Sequence, residues 1–279
     1  MSELFELLHF EFMRDALLVG LVVATVCAVL SCFLVLKGWS LMGDAVSHAV
    51  LPGIVLAYIA GIPVAIGAFF AGLFCAVSTG FIKQNSRVKE DTVMGVVFTG
   101  LFAFGLVLFS QTNSDMHLDH ILIGNILGIT TSQFWQALGL GGFVLLVTLI
   151  LRRDLLLICF DPAQARVMAL PEKFLTYLLL SLLSLAIVAS LQAVGIILVV
   201  AMLVTPGSIA HLWTDRFDRM VLIAVASSTG STVAGIFISY HLDADPGACI
   251  VLTQASVFLW SLLFAPKYGI LRQGRKSEA

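Results

Sequence analysis

Asp44 and His48 stand four residues apart in the stretch WSLMGDAVSHAVLPG. On a helix that spacing puts a carboxylate and an imidazole on one face, within reach of one ion or of each other. Together they offer oxygen and nitrogen donors, a set suited to manganese, iron or zinc and poorly suited to soft copper(I). Two ligands on one chain are too few for a tight site, whereas a twofold pair of chains would supply four. The same spacing fits a plainer role, in which Asp44 caps the start of a helix and His48 bonds a neighbouring backbone group.

Other residues carry weaker signals. His211 follows the segment AMLVTPGSIA, where it is either a ligand on an exit route or a histidine reaching for the membrane interface. Within that segment Thr205, Pro206 and Gly207 interrupt an apolar run, as Pro52 and Gly53 do earlier. Proline removes a backbone donor and frees a carbonyl, so both breaks are candidates for lining a path or for simple kinks. If the two runs cross in opposite directions, the paired breaks also fit an inverted repeat. Two further clusters, His117 with Asp119 and His120, and His241 with Asp243 and Asp245, read equally as solvated loops. His9 has no partner nearby in sequence. The five cysteines all sit in or beside apolar segments and read as small hydrophobes rather than as a disulfide or metal framework.

The elements that must hold these residues follow from composition. The chain is 59% hydrophobic and 11% charged, with a mean hydropathy of +1.04, which places it outside soluble domains. Runs of roughly 20 apolar residues, the length that crosses a bilayer as a helix, recur at about residues 16–36, 44–60, 64–82, 92–110, 133–151, 174–193, 195–211, 220–240 and 247–265. The expected fold is therefore all-α, a single polytopic domain over residues 1–279 with nine spans. If span one runs inward, the inner loops hold Lys37, then Lys83, Arg87 and Lys89, then Arg152, Arg153, Arg166 and Lys173. Arg216 and Arg219 follow, then Lys267, Arg272, Arg275 and Lys276, leaving Arg14 alone outside. That distribution predicts an outer N-terminus and an inner C-terminus. Residues 1–15, with no Lys or Arg before Arg14, read as an outer interfacial segment rather than a signal peptide. The polar stretch between Ser110 and Gln133 is too short of apolar residues to cross and reads as interfacial or re-entrant,. Residues 266–279 form a cytoplasmic tail.

One inner loop has a readable structure. Asp161 followed by Pro162 is an N-cap with the preferred first-turn proline, and Pro171 is expected to close a short helix. A capped helix projecting from an inner loop is something a partner could grip, or an ordinary connector. The chain contains no HExxH, GxSxG or P-loop motif, which argues against an enzyme and places any use of ATP in a separate chain. A secondary transporter using Asp44 and His48 as a proton-coupled pair is the rival from another class.

The segments LKGWSLMGDAVSHAVLPGIVLAY, GIILVVAMLVTPGSIA and FDPAQARVMALP resemble the ABC-3 family of metal-transport permeases, and hydropathy extends the likeness along essentially the whole chain. The resemblance implies a type II ABC importer-like helical permease of the bacterial plasma membrane. It also implies a second permease subunit, identical or similar, a cytoplasmic ATP-binding subunit and an extracytoplasmic metal-binding protein. Metal is then cargo rather than a resident cofactor, and the text of spans one and two ranks manganese first, iron second and zinc third. By the same resemblance residues 161–171 are the coupling helix, with Asp161, Pro162, Ala165, Arg166 and Ala169 meeting the ATPase. Similar permeases often carry Gly where Ala169 stands here, which leaves the ending of that helix open.

Overall fold

A computed structural model describes residues 11–112 and 126–270 of the 279-residue chain. Twelve helices and one short 3₁₀ turn, Ile126–Gly128, make up the described residues. Nine stretches among them are long and apolar enough to cross a membrane. Span one is α1 (Glu11–Lys37); span two is divided into α2 (Met42–Ala49) and α3 (Leu51–Ala60). Spans three to five are α4 (Val64–Asn85), α5 (Glu90–Gln111) and α6 (Thr131–Ile150). Two short helices follow, α7 (Arg152–Phe160) and α8 (Pro162–Val167). Spans six to nine are α9 (Glu172–Val194), α10 (Ile196–Trp213), α11 (Phe217–Leu242) and α12 (Pro246–Phe264).

The observed spans match the hydropathy reading to within a few residues because length and apolarity are set by the bilayer itself. Residues 11–15, expected to lie at the interface, are the first turns of α1; residues 1–10 lie outside the described residues. Most of the polar stretch after Ser110 and the end of the tail also lie outside them. Where that stretch ends, Thr130 starts α6 with a reciprocal capping box to Gln133,.

Spans one and two are 72% buried over their most apolar window, whereas span four is 17% buried. The bundle thus has a core of spans one, two, six and seven, with four, five and nine at its edge facing lipid or a partner. Small residues set the tightest crossings. A Cβ on Gly53 would stand 2.1 Å from the carbonyl oxygen of Gly67, and one on Gly67 would stand 2.2 Å from that of Gly53. Spans two and three therefore touch backbone to backbone, a contact driven by packing rather than by water exclusion. Ion pairs and caps gather several span ends on one face. There Lys37 Nζ donates to the Ile158 carbonyl at 2.9 Å, Arg152 pairs with Asp218 at 2.9 Å, and Lys267 pairs with Asp215.

Candidate functional site

Helix α2 holds the candidate pair. Its N-cap is Leu41, which makes no side-chain cap, so Asp44 lies inside the first turn and is not the cap. The Asp44 carboxylate instead faces His48, with Oδ1 3.3 Å from Nε2. Met42, Gly43, Ala45, Val46, Ser47 and Ala49 are all buried, leaving only Asp44 and His48 open on this helix, each side chain about a third exposed (35% and 34%). Neighbouring helices enforce that arrangement. The α face of Gly43 abuts Leu203 of α10, and Gly72 of α4 sits against Val46 and Val50. Ser47 is turned inward, its hydroxyl donating to the Gly43 carbonyl at 2.7 Å.

The His48 ring lies on an aromatic shelf from α5, 6.1 Å from Phe98 and 5.5 Å edge-on from Phe102 between centroids. Span four starts at Asp91 and ends at Gln111, so these two phenylalanines stand about 10 and 16 Å along it at 1.5 Å per residue. His48 is thus near the middle of the bundle's thickness. An ionisable side chain at that depth is costly unless it faces partners or a wet path. Phe98 and Phe102 were not singled out in the sequence, although their own i, i+4 spacing was the available signal.

The two Pro-Gly breaks have separate surroundings. Span two divides at Val50, and Pro52 packs its ring against Gly105 of α5, where an added Cβ would lie 2.8 Å from the Pro52 nitrogen. Pro52 and Gly53 also border an apolar groove of about 650 Å³. In span seven α10 runs through Pro206 without ending. There the Gly207 N–H donates to Ser31 Oγ of α1 at 3.0 Å, and Pro206 and Gly207 are buried while Thr205 is partly exposed. Ser31 repairs the disturbed ladder, a role only the folded bundle reveals.

Residues 9–265 match the family described as the ABC 3 transport family. The chain belongs to that family. It is 57% identical over 268 residues to the chelated iron transport system membrane protein YfeD of Yersinia pestis, covering 95% of this chain and 90% of that one. It is 52% identical over 270 residues to the manganese transport system membrane protein MntB of Synechocystis sp., covering 97% and 88%. Among solved structures, PsaBC from Streptococcus pneumoniae in complex with Fab superposes with a TM-score of 0.87 at 39% identity, covering 98% of this chain and 99% of that one.

In this ABC 3 chain the short helix α8 is built as its sequence suggests at the start and differently at the end. Asp161 Oδ1 accepts from the N–H groups of Ala163 and Gln164, both at 3.0 Å, with Pro162 in the first turn. The stop comes from Ala169 rather than from Pro171, which instead precedes α9. Ala169 adopts a left-handed φ of +57°, its N–H bonds the Arg166 carbonyl, and the Leu170 N–H bonds the Ala165 carbonyl, each at 3.0 Å. That is a Schellman ending, which glycine makes without the steric cost an alanine bears. Ala165 is buried beneath the helix, Arg166 lies 3.7 Å from Glu172, and Phe160, Val167 and Met168 project at 78%, 86% and 61% exposure.

His211 stacks on Tyr268 at 5.9 Å, in a cavity on the Lys37 face whose lining does not include the Asp44–His48 pair. The His241 cluster is absorbed by helix ends: His241 Nδ1 is 3.0 Å from the Phe237 carbonyl, Asp243 takes a left-handed C-cap, and Asp245 caps α12 by accepting from Ala248 N–H at 2.8 Å. Among the described residues no group of three or more metal-binding side chains forms within one chain. His9, His117, Asp119 and His120 lie outside the described residues. All five cysteines are free and buried; for Cys159, outside the spans, burial pushes the thiol up to about 11 against the pull of Lys37,.

Proposed function

We propose that this chain is the membrane-spanning permease subunit of an ATP-driven importer of manganese and/or iron, with Asp44 and His48 as ligands for the passing ion. The observation that carries this reading is the surface of α2, where only the carboxylate and the imidazole are left open. The names of the iron and manganese relatives support the cargo class, and zinc, which accepts the same donors, ranks third. Two copies, or this chain and a similar partner, would bring four donors to one ion. Two carboxylates would then balance a divalent charge at mid-bundle depth, lowering the cost of carrying it there.

The gathering of Lys37, Arg152 and Lys267 on one face supports placing that face in the bacterial cytoplasm,. The N-terminus is then outside and the C-terminus inside the plasma membrane. Helix α8, rigidly capped at both ends and apolar at its tip, is the proposed contact for a cytoplasmic ATP-binding subunit, with Arg166 and Ala169 exposed to it, Asp161 and Pro162 holding its start, and buried Ala165 seating it on the bundle. An extracytoplasmic metal-binding protein would deliver the ion. Pro52 and Gly53 lie one turn beyond His48 and are assigned to the path wall. Thr205, Pro206 and Gly207 flank it through span seven, where Leu203 backs Gly43. His211, in its separate cavity, is left off the path.

The test is uptake of radiolabelled manganese, iron and zinc by cells lacking their own importers, supplied with this permease and its partner subunits or with an Asp44→Ala/His48→Ala variant. The expected result is uptake of manganese or iron that vanishes in the variant at equal membrane levels and with the ATP-binding subunit still bound. Uptake retained by the variant, or uptake independent of ATP, overturns the reading.

A further inference from the structure

On the Lys37 face a cavity of about 720 Å³ opens between α1, α7, α10 and α11, a size typical of ligand sites. Its walls are apolar, including Leu36, Leu157, Phe217 and Met220. Leu36 is the penultimate residue of α1 and Phe217 the first of α11, so the cavity lies at the level where spans end and lipid headgroups begin. Charged groups stand at its polar edge. Asp215 is neutralised by Lys267, and Lys267 in turn lies 5.2 Å from the ring of Tyr268. Arg153 also lines the cavity, is exposed, and has no ion pair among the described residues. The cavity therefore combines an apolar interior with a net positive edge.

We infer that this cavity binds an anionic phospholipid, with acyl chain against the apolar walls and phosphate on Arg153. A free phosphate would leave the apolar interior unfilled, and a zwitterionic lipid would bring an ammonium beside its phosphate, offsetting the charge that the net positive edge would otherwise meet. Arginine presents a planar fork of donors that fits a phosphate in two-point contact, and basic pockets between helices on the cytoplasmic side are where anionic headgroups bind. The site has a consequence for coupling, since Phe160 also lines the cavity and is followed directly by Asp161, the cap of α8. A bound lipid would brace α7 and so fix how α8 is presented. This inference rests on the membrane reading and is independent of the metal.

The experiment is native mass spectrometry of the purified permease with phosphatidylglycerol or phosphatidylethanolamine, comparing the unchanged chain with Arg153→Gln and Leu157→Trp. The expected result is one retained phosphatidylglycerol, preferred by about fivefold, the effect of one basic group on a lipid of net negative charge. That preference should disappear in Arg153→Gln, return in Arg153→Lys only in part, and occupancy should fall in Leu157→Trp. Inorganic phosphate should not displace the lipid. Equal retention of both lipids, or retention unchanged in Arg153→Gln, overturns the proposal. Loss of ATP-binding subunit from Arg153→Gln with lipid retention intact overturns it too, in favour of a protein occupying the cavity.

Discussion

Span two and the turn between spans eight and nine contain the same chemical groups in similar density, and the fold treats them in opposite ways. In the turn, the Asp245 carboxylate is spent on an amide of α12 and the His241 ring on a carbonyl of its own helix, while the backbone of Asp243 closes α11 in a left-handed turn. In span two the helix start is left to Leu41, and Asp44 and His48 stand 3.3 Å apart on a helix buried everywhere else. Residue type alone does not separate the two regions. What separates them is whether backbone groups already occupy the donors and acceptors, and whether the protein has buried everything around the pair except the pair.

The largest expected effect breaks that comparison outright. Asp44→Ala or His48→Ala should reduce metal uptake to that of cells without the permease, while His241→Ala leaves it near normal; equal losses would place the turn on the path as well. Next comes the scaffold that holds span two. Gly53→Val puts side-chain atoms where the Gly67 carbonyl stands, and overpacking of this kind costs about 1–3 kcal/mol. A lower thermal midpoint of the purified protein and reduced membrane levels are expected; an unchanged midpoint would mean that spans two and three are not in backbone contact. Asp245→Ala should cost about 1 kcal/mol through loss of the cap, lowering the midpoint slightly with uptake preserved. A loss of uptake at full stability would give Asp245 a role beyond capping. The smallest effect is a gain: Ala169→Gly relieves a left-handed alanine and should add a few tenths to about 1 kcal/mol, read as a slightly higher midpoint.

The spans were legible because bilayer thickness imposes a length that any sequence must meet. The Asp44–His48 pair was legible too, since helical spacing fixes which residues share a face. What the sequence could not separate was capping from pairing at Asp44, because both begin from the same residue near a helix start; the position of Leu41 decides it. Partners far apart in the chain were also out of reach. Ser31 mends the α10 ladder at Gly207 across 176 residues, and Lys37 reaches the Ile158 carbonyl across 121, contacts that only packing creates. At Ala169 the departure from glycine pointed to an uncertain ending, and the helix nevertheless closes with the left-handed turn that glycine would have made freely.

The central claim is that the span-two pair of this chain and that of a second permease subunit, identical or similar, together make one metal site. The most direct measurement is equilibrium binding of manganese to the purified permease pair, with and without His48→Ala. The account predicts one ion per pair of chains, lost in the variant while the pair stays assembled. Binding of one ion per chain, or a stoichiometry unchanged by His48→Ala, would contradict it.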